Sequence, residues 1–359
     1  MYSDKRRPPR RVGIVRAAWL LGAGLAACLM AAHTAGWFWA ERTLQRGVAG
    51  WIAAQRAGGL TLATGPAQSA GWPLAVRVEL PDVVVGPGGL PGGGVLRTAR
   101  ASVGVSLLEP GLLRVVLPEP LRLALPGRPE VTASAAEWHV DVPLQQPDSA
   151  EMDATDWRAA WALEGQAPQV QAPQTLTAAL VHLLVKPDAL DTRLTLSAQA
   201  IDLPAPPAGQ ALPLGRRLAS VSGDATLRGL LPDTASVAAL SGWRDLGGRL
   251  DISRGAFGYG PLGVLGSGSV TLDAALQPAA TAQLHVLGAA ATLDALTQAR
   301  VLDANAAVAA KAVLGLLTRV PEDGGAPAVD LPLRLRDRIL SLAGYPLAKL
   351  PPVVWPPAP

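Results

Sequence analysis

A mainly β protein with a few helices, built as a long antiparallel sheet behind an N-terminal transmembrane helix, is what this sequence predicts. Three observations carry the prediction. From residue 60 onward apolar and polar residues alternate with period two in run after run, and proline and glycine clusters cut these runs apart. Ahead of them stands one stretch of 24 residues without a formal charge.

The 359 residues are 49% hydrophobic and only 16% charged, with 38 glycines and 33 prolines, where an average globular chain is about 25% charged. This excludes a disordered chain and is unlike a typical cytosolic enzyme. The net charge of +3 comes from the first 16 residues, where Lys5, Arg6, Arg7, Arg10, Arg11 and Arg16 face Asp4 alone. The rest of the chain is slightly acidic, so the basic footprint expected of nucleic-acid binding is missing. With one cysteine, Cys28, no internal disulfide forms, and four scattered histidines give no Cys/His metal cage.

Residues 1–16 read as a basic cytoplasmic tail and 17–40 as the transmembrane anchor. The anchor reads AAWLLGAGLAACLMAAHTAGWFWA, and about 20 apolar residues suffice to cross a bilayer's hydrocarbon. Trp19 near one end and Trp37 and Trp39 at the other suit the interfaces, and the basic tail keeps the N-terminus in the cytoplasm. In a Gram-negative cell this means a single pass through the inner membrane with the main domain periplasmic. A cleaved signal peptide has an apolar region of only about 7–15 residues, so that reading is weaker. Leu25-Ala26-Ala27-Cys28 also matches a lipobox. Against lipidation, the residues after Cys28 stay apolar through Ala40, and in a spanning helix Cys28 is a small buried hydrophobe.

Residues 41–59 read as a membrane-proximal helix, because Leu44, Val48, Trp51, Ile52 and Gln55 share a stripe before Gly58-Gly59 ends it. The stripe packs on the domain in the favoured reading and on the membrane surface in the other.

Residues 60–359 form the β-rich domain. Alternation marks strands at Pro73–Leu80, Glu137–Val142, Arg193–Ala200, Val221–Leu227, Ser267–Leu276 and Thr281–Val286, with further strands at 101–107, 113–125 and 331–342. Residues 292–318 carry helical spacing that Asp303 or Asn305 breaks in two. The stretches 156–164, with Trp157 and Trp161 four apart, and 176–185 are ambiguous between helix and strand. Residues 143–156 and 320–330 read as loops. The apolar positions Leu74, Val76, Val78, Leu194, Leu196, Val270, Leu272 and Leu284 are small or aliphatic. They make either an ordinary core under the helices, which is favoured because apolar faces normally pack, or an acyl-accepting groove.

Chemistry is sparse. There is no G-x-S-x-G elbow; Gly266-Ser267-Gly268-Ser269 reads as a strand start, and the glycines between Gly86 and Gly94 lack the Lys-Ser or Lys-Thr of a phosphate loop. His139 and His285 sit on polar strand faces and His182 in an apolar run, as surface or satisfied side chains rather than metal ligands. Asp188, Asp191 and Asp202 show no pairing signal. Arg334, Arg336 and Arg338 alternate on what reads as one solvated face, with phosphate headgroups the rival reading. No catalytic, cofactor-binding or metal residues are expected.

Three passages carry a family resemblance: Ala57-Gly58-Gly59-Leu60 leading to Gly71-Trp72-Pro73-Leu74; Gly258-Tyr259-Gly260-Pro261-Leu262 with Gly268-Ser269-Val270-Thr271-Leu272-Asp273; and Leu331-Pro332-Leu333 with Leu342-Ala343-Gly344-Tyr345-Pro346-Leu347. Behind an N-terminal anchor, these resemble an uncharacterised family of Gram-negative envelope proteins, a domain of unknown function, over nearly the whole chain. That family is similar to AsmA-like proteins. The resemblance implies a curved half-barrel sheet with an apolar concave side, no catalytic residues, and a role in lipid movement or envelope maintenance. The family's closing Asp-Gly turn is Asp337-Arg338 here. Gly71 permits a turn, Trp72 is expected as a packing anchor, and Pro73 opens an edge strand.

The expected function is therefore an inner-membrane-anchored periplasmic protein that shields or transfers lipid along an apolar sheet face. A domain of about 300 residues is too short to bridge a periplasm alone, so it acts locally or with partners. Membrane lipid and envelope proteins are the expected partners, and nucleic acid is not. A non-enzymatic envelope scaffold is the rival, and an envelope hydrolase a distant third.

Overall fold

In a computed structural model the described residues are 12–86, 94–118, 120–162, 173–206, 212–230, 236–318, 327–353 and 355; the side chains of 12–23, 316 and 317 lie outside the description. The chain opens with one helix, α1 (Val12–Ala57), followed by β1 (Leu62–Ala63), β2 (Gln68–Ala70), β3 (Ala75–Val85), β4 (Val95–Ser106), β5 (Leu112–Val116), β6 (Leu121–Ala124), β7 (Val131–Ser134) and β8 (Glu137–Pro143). Four long strands come next: β9 (Ala150–Trp161), β10 (Gln174–Asp188), β11 (Asp191–Asp202) and β12 (Arg217–Arg228). After α2 (Val237–Asp245) come β13 (Arg249–Tyr259), β14 (Leu262–Leu272) and β15 (Pro278–Leu287), then α3 (Ala289–Gln298) and α4 (Ala304–Leu317). The chain closes with β16 (Ala328–Arg336), β17 (Ile339–Leu342) and β18 (Tyr345–Lys349).

All these strands belong to one antiparallel sheet of 18 strands. From β9 to β18 each strand pairs with the next, a meander whose connections run from two-residue turns to the helical excursions of α2 and of α3 with α4. At the other end, β1 and β2 pair with the two halves of β3, β5 and β6 with two parts of β4, and β8 and β7 carry those tiers on to β9. Three rungs of the ladder are thus shared by two short strands, and the sheet is fifteen rungs wide.

The expected β class holds, with local differences. The stretches 156–164 and 176–185 lie largely in β9 and β10: the Trp157–Trp161 spacing belongs to a strand, and β pairing on both sides overrides a weak helical period. The loop expected at 143–156 ends at Ala150, where β9 begins, and Ala328 already starts β16. Pro118 falls between β5 and β6, so the strand expected at 113–125 is two. Ser267 lies inside β14, not at its start. The helical stretch divides as read, with the Asp303 side chain accepting from the Asn305 and Ala306 amides as N-cap of α4. The sequence reading missed α2, capped by Ser236. Asp337 and Arg338 take φ of 50° and 64°, the pattern of a type I′ hairpin, so the turn between β16 and β17 forms without glycine, while the last turn, between β17 and β18, is made by Ala343 and Gly344. The glycine loop within Gly86–Gly94 lies mostly outside the described residues.

α1 ends in a Schellman arrangement: Gly59 has φ of +91°, its amide bonds the Arg56 carbonyl, and the Leu60 amide reaches back to Gln55. The closing turn returns the chain against the helix it has just left. Ile52 packs with Leu62, Val78 and Leu80 into the central buried cluster, joined by Leu44, Val48, Leu60 and Val103. The stripe expected on 41–57 therefore faces the domain, except Trp51, which is 57% exposed. Higher up, the Trp37 indole donates to the Ala75 carbonyl at 2.7 Å, His33 Nε2 lies 2.9 Å from the Pro73 carbonyl, and the buried Glu41 carboxylate accepts from the Ser69 hydroxyl.

Among the described residues no helix is long and apolar enough to cross a membrane. The expected span 17–40 falls partly outside them, since the side chains of 17–23 are not described. Leu25, Leu29, Met30, Phe38 and Trp39 project from α1 exposed, and so does Cys28.

Ile52→Ala is expected to lower unfolding stability by about 2–4 kcal/mol, the range for emptying a buried aliphatic site. Trp51→Ala on the opposite side is expected to change it by less than about 0.5 kcal/mol. Denaturant titration of both variants checks this.

Candidate functional site: the apolar face of the sheet

Residues paired across a sheet point to the same side, so the register defines each face. Starting at the most buried side chain, Val78, one row runs through Val103, Val115, Val140 and Met152 to Leu183 and Leu196. It continues through Gly223, Gly255 and Gly266 to Leu284 and Leu331. Twelve strands contribute, and none places a polar side chain in the row. Parallel rows contain Val181, Ala198, Val221, Phe257, Val264 and Val286 on one side, and Leu194, Ala225, Ile252, Gly268, Ala282 and Leu333 on the other. At about 4.8 Å per strand the face is about 50 Å long.

The bulge in β13 at Ser253 and Arg254 would break such a row if it flipped the strand. It does not: pairing to β12 and to β14 shifts by one residue at the same place, and Ile252 and Gly255 stay on the apolar side. Gly223, Gly255 and Gly266 stand side by side and leave the middle of the row floored by backbone. A Cβ at Gly266 would come within 2.8 Å of Leu284, and one at Gly268 within 2.4 Å of the Thr281 carbonyl, so adjacent strands approach too closely there for side chains.

Among the described residues, helices cover only the ends of the face. α1 lies over β3, burying Val76 and Val78. α3 and α4 pack on each other and reach β14 and β16, where Val329 is buried. Between these ends Leu194, Val221, Ile252, Val270 and Leu284 are only half-buried and Leu196 is 43% exposed. Among the described residues the helices thus differ from the favoured expectation of a covered core, because α2, α3 and α4 lie toward the far end of the sheet and lay no second layer over its middle. The chain exposes 23456 Å², against about 13,600 Å² for a compact protein of its mass. The indole N–H of Trp138, in the row of Ala154 and Val181, is buried with no acceptor.

Of the apolar positions read from the sequence, Val76 and Val78 lie under α1, while Leu194, Leu196, Val270, Leu272 and Leu284 lie on the open part. Leu74 does not belong to the face: it sits 63% exposed in the turn before β3. Gly71 makes that turn with φ of +97°, where a Cβ would meet the Ala75 carbonyl at 2.8 Å. Trp72 is exposed rather than a packing anchor, and Pro73 stays in the turn rather than opening the strand.

The opposite face is polar and held by ion pairs. Arg217 forks onto Asp202 with two 2.9 Å bonds, Arg193 meets Asp188 at 3.0 Å, and Arg228 bridges Asp191 at 2.5 Å and Asp251 at 3.0 Å. The three aspartates singled out in the sequence are each tied to an arginine, not to one another. Hydrogen bonds from Arg228 hold Asp191 below its ordinary range, and those from Arg249 and then Arg228 do the same for Asp251. Arg217 lowers Asp202 likewise. Arg334 and Arg336 flank an open depression of about 370 Å³ with Ser269, Thr271 and Thr281, whereas Arg338 leaves their face for the turn. His285 pairs with Asp330 at 2.8 Å, and His139 and His182 come to either side of Asp153, a meeting that chain positions 43 apart do not reveal.

The described strands thus define one antiparallel sheet whose apolar side is open along its middle. The chain belongs to the family described as an uncharacterized protein conserved in bacteria (DUF2125), whose pattern matches residues 37–351. No curated protein and no solved structure matches it. The comparisons carry no link to AsmA-like proteins.

The lowered carboxylates set a pH dependence. A depressed folded-state pKa contributes stability that is present above the unfolded value near 3.9 and is lost as pH falls through the folded value. The melting temperature is therefore expected to fall as the pH is lowered below about 4, and Arg228→Gln to shrink that fall. Circular-dichroism melts of both proteins across this range check it.

Proposed function

We propose that this protein holds lipid acyl chains along the open apolar face of its sheet, tethered to the bacterial inner membrane by the first part of α1, with the sheet in the periplasm. The observation that carries the proposal is the unbroken apolar row over twelve strands, with no second layer over its middle among the described residues. Exposed apolar patches on monomers are typically about 300–600 Å², and a face about 50 Å long is out of proportion to that. Each methylene moved from water onto it contributes about 0.8 kcal/mol, so the holding is passive. Glycines flooring the row leave room for a chain to lie against backbone.

The anchor supports the same reading. α1 covers one end of the face with its C-terminal half, while residues 17–40 carry no formal charge and Leu25, Leu29, Met30, Phe38 and Trp39 are exposed. One continuous helix thus runs from the charge-free stretch to the start of the apolar row. The half-barrel likeness to AsmA-like proteins belongs to this proposal. A second reading, a scaffold that recruits envelope proteins by strand addition, draws on the exposed edge strand β18, whose Tyr345 and Leu347 are open to solvent.

A photo-crosslinking residue placed at Leu196 or Leu284 of the full-length protein in cells is expected to capture phospholipid, identified by mass spectrometry. The same residue at Gln283, on the opposite face, is expected to capture at least tenfold less. Protein adducts without lipid at both apolar positions would favour the scaffold, and equal labelling of the two faces would defeat the lipid reading.

A further inference from the structure

Independently of the apolar face, its polar reverse gathers ligand chemistry at one place. The register puts His139 of β8, Asp153 of β9 and His182 of β10 in a single row, with Glu151 one step along β9. His182 Nδ1 lies 2.9 Å from Asp153 Oδ1 and 3.8 Å from Glu151 Oε1, and on the other side His139 Nε2 lies 4.0 Å from both Asp153 Oδ2 and Asp141 Oδ2. One ligand atom from each of Glu151, Asp153 and His182 falls within a 4.8 Å sphere of mutual distance. Ligand atoms around a tetrahedral zinc ion are about 3.4 Å apart, given bonds of about 2.0–2.2 Å, so small side-chain rotations convert the cluster into a coordination set.

Charge compensation separates this cluster from its surroundings. Next to it, Asp141 is taken up by Arg114 through bonds of 2.7 and 2.6 Å, and Asp188, Asp191, Asp202 and Asp251 each have an arginine. Among the described residues, Asp153 and Glu151 have only the imidazoles within 4.0 Å. Two carboxylates facing two imidazoles, half-exposed and without lysine or arginine, present a doubly negative nitrogen-and-oxygen donor set suited to a divalent first-row cation.

We propose that His139, Asp153, His182 and Glu151 bind a zinc ion. The neutral imidazole of His182 would exchange its hydrogen bond to Asp153 for a shared metal, and Asp153 would stand between the two histidines. The ion would bolt β8, β9 and β10 together at the point where the paired short strands β7 and β8 give way to the long strands of the meander.

The test uses full-length, tag-free protein, stripped with chelator and titrated with zinc chloride under equilibrium dialysis with elemental analysis. One zinc per chain is expected, with affinity at least tenfold weaker in His182→Ala and in Asp153→Asn and unchanged in His285→Ala, which removes a separate exposed histidine. Zinc is also expected to raise the melting temperature of the wild type and not of His182→Ala. Because a variant can fail for reasons of folding, cobalt(II) added to the wild type gives a second readout: an intense visible spectrum of low-coordinate nitrogen-and-oxygen ligation is expected. No zinc retained by the wild type, a cobalt spectrum identical to the free aqueous ion, or equal loss in His285→Ala would overturn the proposal.

Discussion

Backbone pairing that preserves side-chain parity from strand to strand is the constraint on which this molecule rests. A slip of one residue at any of its ladders would turn every following strand over and carry arginines and aspartates onto the apolar side. Several devices hold the parity. Tight two-residue turns such as Tyr259 to Leu262 and Arg336 to Ile339 tie successive strands at one register, and the single bulge of β13 is absorbed by both neighbours at once. The polar face adds cross-strand arginine–aspartate forks at both ends of β11 and β12. Exposed pairs of this kind contribute little stability individually, but each is satisfied in one register alone, so they select pairing more than they strengthen it.

The second constraint is the docking of α1. An open sheet with one bare apolar side needs at least one end closed for a true core to form, and α1 does this at β3 with Ile52, Leu44 and Val48. The Schellman turn at Gly59 matters here because it reverses the chain within a few residues, bringing Leu60 and Leu62 back onto the helix that precedes them. A rigid connection results: the same helix that bears the charge-free stretch makes the first layer over the apolar face. At the far end α3 and α4 bury Ala328 and Val329, and the long middle is left half-buried.

The two faces divide the chemistry. The apolar side offers area rather than directional contacts, which suits occupants selected by length and shape rather than by hydrogen bonds. On the polar side functional groups cluster: the hydroxyl-lined depression near Arg334 and Arg336, and the imidazole–carboxylate row around Asp153. Neither set lies in a closed cleft, and the sheet separates them from the apolar row.

Much of this was legible in the residues themselves. Period-two alternation identified the strands and their apolar positions, since Val76, Val78, Leu194, Leu196, Val270 and Leu284 follow from side chains pointing alternately up and down, a property of one strand alone. Glycine after α1, the Asp303 cap and the stripe on 41–57 are equally local. What the sequence could not decide depends on neighbours. That Leu74 falls off the face, that Trp157 and Trp161 stand on a strand, and that the apolar side is left open are set by pairing and by where the helices come to rest. The meeting of His139 with His182 across Asp153 has the same origin. Residues far apart in the chain become adjacent only when three strands adopt one register, and register is a property of the whole sheet rather than of any segment.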